Sequence, residues 1–210
     1  MFKSLLFALL LGAGLSTFAQ AQRRLTEATL AYTVYLDATT TDTTVSTQTA
    51  TTICYLKGIN SRTDLVTPVG KQSTIYLAKT EQVILLKEYG NQRYMTRLTR
   101  AQWEQSNSKY REATLDFQAD TLRIAGYLCS KVIATLKDSS SFTIWYTREL
   151  IPLNKTFLPL ANLVPGLILS FETLVGDNKV LYQIDQLLFN PVQQMLFDIP
   201  EKGYRLLDNK

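Results

Sequence analysis

Apolar residues recur at every second position through most of this chain, and that period suits a pleated strand with one buried face. Leu30, Tyr32, Val34 and Leu36 share a face; so do Leu115, Phe117 and Ala119, then Leu167, Leu169 and Phe171, then Val180, Tyr182 and Ile184. Turn chemistry separates the runs: Thr67-Pro-Val-Gly70, Tyr89-Gly-Asn-Gln92 and Gly176-Asp-Asn178 all carry Gly, Pro or Asn where strands must reverse. Strands are predicted over 30–36, 53–65 with a bulge or bend at Gly58, 73–78, 82–88, 93–98, from 114, 126–136, 142–150, from 167, and 180–189. The Thr-rich run 39–52 reads as a connection and the start of the second strand. Thr99 and Gln102 form a capping box for one helix, with Trp103 on its buried side, and residues 25–28 suggest a further helical turn. Roughly ten or eleven strands in one chain make a sheet that must curl or close. The expected fold is mainly β: a large curved antiparallel sheet forming a half-barrel, with one or two helices and a loop over its concave apolar face.

That loop is the most informative stretch. Residues 150–166 carry Pro152, Pro159 and Pro165 among Ile151, Leu153, Phe157, Leu158, Leu160, Leu163 and Val164. A connection this long is usually a lid or a binding loop, and this one is too apolar to lie in water. It must fold over something hydrophobic or over a ligand. Phe142, Ile144, Tyr146, Leu150, Leu153, Phe157 and Leu160 are therefore candidate cavity liners, and Pro165-Gly166 reads as a turn or a hinge for the loop. Trp145 and Tyr146 alternate on their strand, so only one of them can point into a cavity.

Residues 1–21 have the construction of a signal peptide: Lys3, a short apolar run from Leu5 to Leu11, and Ala19-Gln20-Ala21 as the cleavage site. The apolar run is shorter than the ~20 residues of a spanning helix. Cleavage leaves 189 of the 210 residues, taken as a single domain over 22–210. Export to the periplasm is expected, with secretion as the alternative.

Histidine is absent. That excludes Ser-His-Asp and Cys-His catalysis and removes the commonest ligand for transition metals. Two cysteines cannot build an all-cysteine zinc site. No cofactor and no metal are expected. In an oxidising compartment Cys54 and Cys129 could form one disulfide, or could be two buried thiols. The formal charge of +4 is mild and its Lys and Arg are scattered, which argues against nucleic acid. Glu149, Glu172, Asp185 and Asp198 are the remaining route to hydrolytic chemistry, but acidic side chains on strands are mostly solvated, and no enzyme is expected.

Four short motifs add a resemblance. Ile124-x-Gly-Tyr-x-Cys129, Trp145-Tyr-Thr147, Val164-Pro-Gly-Leu-Ile168 and Phe197-Asp-Ile-Pro-x-x-Gly-Tyr204 resemble exported Gram-negative proteins grouped as an uncharacterised family. That group is akin to the family named for its G-L-P-G-L-I motif, and is similar at fold level to the lipoprotein carrier of the Lol pathway. This chain has Leu163-Val164 where the motif begins Gly-Leu. The resemblance implies a LolA-like half-barrel whose cavity receives acyl chains, with a lipid or acylated ligand and another envelope protein as partners. Lipid or amphiphile carriage in the envelope is the expected function. The alternative is an envelope interaction module whose core is filled by its own side chains.

Overall fold

The computed structural model describes residues 22–36, 47–175 and 178–207. The predicted leader, most of the Thr-rich run and Gly176-Asp177 of the predicted last hairpin turn lie outside the described residues.

The chain begins as two strands, β1 (Arg23–Leu25) and β2 (Glu27–Leu36). A meander follows: β3 (Thr47–Lys57), β4 (Asn60–Thr67), β5 (Gly70–Leu77), β6 (Gln82–Tyr89) and β7 (Gln92–Thr99). Two short helices, α1 (Arg100–Ser106) and α2 (Ser108–Arg111), lead to β8 (Thr114–Ile124), β9 (Tyr127–Thr135), β10 (Ser141–Thr147) and β11 (Leu150–Pro152). A 3-10 turn over Pro159–Leu163 precedes β12 (Leu167–Val175) and β13 (Asn178–Leu188). A second 3-10 turn over Gln194–Phe197 and β14 (Arg205–Leu207) complete the order.

Twelve strands form one sheet in the order β14-β7-β6-β5-β4-β3-β2-β13-β12-β10-β9-β8. Its end strands β14 and β8 do not pair with each other, so the sheet stays an open half-barrel. Two meanders, β2–β7 and β8-β9-β10-β12-β13, are joined where β13 pairs antiparallel with β2 through Tyr182↔Val34 and its neighbours. The sheet is mixed, because β14 lies parallel to β7. β1 and β11 pair separately, in parallel, with Leu25 opposite Pro152.

Several local expectations change in three dimensions. Gly58 is the tip of a hairpin and not a bulge or bend within one strand: at φ +57° it reverses the chain so that Lys57 pairs with Asn60, and its N–H donates to the Thr26 carbonyl at 2.7 Å. Residues 25–28 are two strand ends joined by a bend at Thr26, not a helical turn, since Leu25 has β11 beside it and Glu27 pairs with Lys57. Tertiary pairing overrides the weak helical propensity there. Gly126 lies in the β8–β9 turn, where Ala125 at φ +48° and Gly126 at φ +86° reverse the chain ahead of Tyr127. The helix cap stands as expected: the Thr99 hydroxyl accepts from the Gln102 N–H, and the Gln102 side chain accepts from the Thr99 N–H.

Neighbouring residues on a strand point to opposite faces, and β4 shows what each face carries. Thr63 donates to the Phe157 carbonyl at 2.7 Å, which places the 150–166 loop on the inner face. Arg62 donates to the Leu196 carbonyl at 2.8 Å, which places the C-terminal segment on the outer one. The main core holds Leu30, Tyr32, Cys54, Ile144, Phe171 and the loop residues Phe157, Leu158, Leu160 and Val164. A smaller core lies outside, where Val192 and Phe197 of the C-terminal segment cover Ile75, Ile84, Leu86 and Met95.

This outer strap is also held by charge. The Val192 N–H donates to Glu27 Oε2 at 2.7 Å, and Lys57 Nζ donates to the Val192 carbonyl at 2.7 Å. The Val192 N–H, followed by Lys57, holds the Glu27 carboxyl below its ordinary value of 4.5. A carboxyl with a depressed folded pKa stabilises above its unfolded value, and that contribution is lost as pH falls through the folded one. Acidifying from about pH 6 to about pH 3 is therefore expected to lower the exchange protection of the Val192 amide. In Glu27→Gln the pH dependence of that protection should vanish; an unchanged profile would separate the strap from Glu27.

Candidate functional site

The loop closes over the inner face and is pinned there by polar contacts at each step. Asn154, itself buried, donates through Nδ2 to the Ile59 carbonyl at 2.6 Å and accepts from the Thr156 N–H at 2.7 Å. The hydroxyls of Thr156 and Ser61 lie 2.8 Å apart. Lys155 Nζ donates to the Val164 carbonyl at 2.6 Å, and burial of its ammonium lowers its pKa. Pro159 starts the 3-10 turn at a first position, where its missing N–H costs nothing.

Between loop and sheet lies a cavity of about 240 Å³. Phe157, Leu158, Pro159 and Leu160 line it from the loop, Trp103 and Tyr110 from the helices, and Phe171 and Tyr182 from β12 and β13. The last two rings stack with centroids 4.5 Å apart and planes 9° apart. Tyr32 meets Phe171 edge-on at 6.1 Å and donates its hydroxyl to the Ile168 carbonyl at 2.8 Å. The sheet side is more polar, with Thr52, Thr63, Thr74, Thr173 and Gln72. The Thr52 hydroxyl oxygen is buried with no partner among the described residues.

A second cavity of about 300 Å³ adjoins the first and shares Trp103, Tyr110, Thr156, Leu158 and Pro159 with it. Arg100, Glu104 and Arg111 from the two helices line this outer chamber, with Tyr76 from β5. Arg100 Nε contacts Glu104 Oε1 at 2.7 Å, and this pairing lowers the Glu104 pKa.

The sequence-derived liners divide. Phe157 and Leu160 line the inner cavity. Phe142 and Ile144 are buried in β10 without lining it, and Leu150 is buried in β11. Tyr146 is buried too, edge-on to Phe117 at 6.4 Å, with Arg148 Nη2 donating to its hydroxyl at 3.3 Å. Leu153 is 52% exposed. Pro165 is exposed, while Gly166 is buried against the Thr147 backbone. Trp145 and Tyr146 are both buried and neither lines a cavity; the β10–β12 register shifts between them. The sequence reading missed Tyr110, Leu158, Phe171 and Tyr182 as liners. The alternation of β12 and β13 did place Phe171 and Tyr182 on the apolar face of their strands.

Cys54 and Cys129 are both free and buried, and not bonded to each other. Burial pushes each thiol up to about 12. The expected solvated carboxylates differ among themselves. Glu172 is buried, paired with Lys179 at 3.0 Å and accepting from the Thr143 N–H at 3.2 Å. Glu149 accepts from the Leu128 N–H at 3.1 Å, while Asp185 and Asp198 are exposed. None of the four lines either cavity. Among the described residues no group of His, Cys, Asp and Glu is arranged to hold a metal ion, and no helix is long and apolar enough to cross a membrane.

No family model matches the chain, and no curated protein matches it. Among solved structures it is similar to PNGF-II in two crystal forms, at 12% identity in each. In the C2 form the TM-score is 0.50 over 86% of this chain and 30% of that one. In the P21 form it is 0.52 over 88% and 32%. The β-barrel-like protein of the domain of unknown function DUF1849 from Brucella abortus aligns at a TM-score of 0.40 and 9% identity, over 79% of this chain and 98% of that one. This chain spans about a third of the length of PNGF-II, and at such low identity what the two share is the fold.

Proposed function

We propose that this is an exported, non-enzymatic binding protein that holds the apolar tail of an amphiphile between its inner sheet face and the 150–166 loop. The observation that carries the reading is the partly open cavity under the loop, walled by Phe157, Leu158, Leu160 and Phe171 beside the main core. Its volume lies just below the ~300–1,000 Å³ of ordinary ligand pockets, so it suits one chain and not several. Each methylene taken from water contributes ~0.8 kcal/mol, so a single chain could be held well. The signal-peptide pattern supports export, and the motif resemblance supports a role in envelope or lipoprotein traffic.

One observation favours the second reading, an envelope interaction module with a self-filled core. Phe157, Leu158, Leu160 and Val164 are buried in the main core by contacts with the protein's own side chains. The two readings separate on a cavity-filling variant. Thr74 faces the cavity from β5 and is half-buried. Thr74→Phe is expected to keep the fold and to abolish the rise in thermal midpoint that tetradecanoate gives the unmodified protein, since a ligand raises that midpoint only by binding the native state. If tetradecanoate leaves the midpoint of the unmodified protein unchanged, the interaction module takes its place. Phe157 is a poor site for such a test: a charge there would be buried in the core and would cost the fold as well.

A further inference from the structure

We infer that the ligand is a single-chain amphiphile with an anionic head, its head on Arg111 in the outer chamber and its tail beneath residues 157–160. This rests on the amphiphile reading above and adds the charge and the direction of the ligand.

The two chambers differ in charge. Among its lining residues the inner cavity has no carboxylate and no cation. An anionic head placed there would lose its hydration with no compensating charge, which is prohibitive. The outer chamber carries Arg100, Arg111 and Glu104. Glu104 is committed to Arg100 at 2.7 Å, and Arg100 also reaches Glu81 at 3.5 Å. Arg111 differs. It makes one hydrogen bond, from Nη2 to the Glu104 carbonyl at 3.0 Å, and has no carboxylate within ion-pair distance among the described residues. Lys109, with its ammonium 5.0 Å from the centre of the Tyr110 ring, adds to the positive side of this helix pair.

A guanidinium with most of its donors free matches the paired oxygens of a carboxylate or a phosphate monoester. Trp103, Tyr110, Leu158 and Pro159 line both chambers, so the two lie against each other and a molecule occupying both would pass along these side chains. The head therefore sits where the cation is, and the tail lies where no charge competes.

The test titrates the mature protein with tetradecanoate and with tetradecanol, followed by tryptophan fluorescence, in the unmodified chain and in Arg111→Gln. The acid is expected to bind about tenfold tighter than the alcohol or better, with the difference shrinking in salt. Arg111→Gln should erase that preference and leave alcohol binding intact. Equal affinities for acid and alcohol would overturn the anionic head, and a preference that survives Arg111→Gln would overturn its place on Arg111; either result leaves the amphiphile reading standing. If neither ligand binds, both readings fall. Inorganic phosphate alone is the last arm: failure to displace tetradecanoate is expected, and full displacement at similar concentration would make this a free-anion site instead.

Discussion

Gly166→Ala is expected to be the most damaging small substitution in the protein. A Cβ built on Gly166 would fall far inside van der Waals contact distance of the Thr147 carbonyl oxygen, 2.8 Å from its carbon and 3.3 Å from the Arg148 Cα. Each of these is backbone, and none can rotate away. Thr147 is fully buried and paired on both sides, with Cys129 and with Leu167. Relief must come from separating β10 and β12, on whose junction the loop ends. Overpacking of a rigid core costs about 1–3 kcal/mol and occasionally more, and this site belongs at the upper end. For a chain of this size about 3 kcal/mol lowers the thermal midpoint by roughly 6–12 °C. Gly58→Ala is the control: its Cβ would meet open space, and the φ of +57° alone should cost about 1 kcal/mol. Equal midpoints for the two variants would refute the argument from crowding. Gly166 is not a residue of special φ. It is glycine because two strands meet with no room between them.

The second large effect is expected at Asp64. Its side chain is 5% exposed on the outer face, with Arg62 Nε at 2.7 Å and Lys71 Nζ at 2.9 Å. Arg62 at the same time donates to Ser73 Oγ at 3.3 Å and holds the strap through the Leu196 carbonyl. Asp64→Ala removes the one carboxylate of this group and leaves the Arg62 guanidinium largely buried beside a second cation. Breaking such a buried pair costs about 3–5 kcal/mol, most of it the penalty of the charge left behind. Chemical denaturation should show that loss. The double variant Asp64→Leu with Arg62→Met should recover most of it, because burying neither charge avoids the penalty. A loss under about 1 kcal/mol in Asp64→Ala would mean that water reaches Arg62 and that the group behaves as a surface pair.

Both sites show where local pattern stops. The alternation of Leu30, Tyr32, Val34 and Leu36 follows from the two-residue pleat, and all but Leu36 are buried. The short hairpins β4–β5, β5–β6 and β6–β7 were legible for the same reason, since turn residues and period both lie within a few positions. The capping box of α1 is equally local. Gly58 was misplaced because a glycine between two apolar runs reads alike as bulge or turn. Only the pairing of Lys57 with Asn60 decides between them.

The candidate site was half legible. Phe157 and Leu160 announced themselves because an apolar loop must be buried somewhere. Which atoms it covers depends on Thr63 and Ser61, about a hundred residues earlier, reaching Phe157 and Thr156. Tyr110 and Arg111 sit on a four-residue helix with no apolar period to mark it.

The amino-acid sequence by itself determined that this protein is β-rich, which faces of its strands are apolar, where most of them turn and that one loop must be covered. The tertiary structure decided that β13 lies against β2, that β1 runs beside β11, that the C-terminal segment straps the outer face, and that a cavity remains under the loop. The physical reason is range. Pleat, turn and cap are set by neighbouring residues, whereas sheet order and the space left inside it depend on which distant segments bury each other.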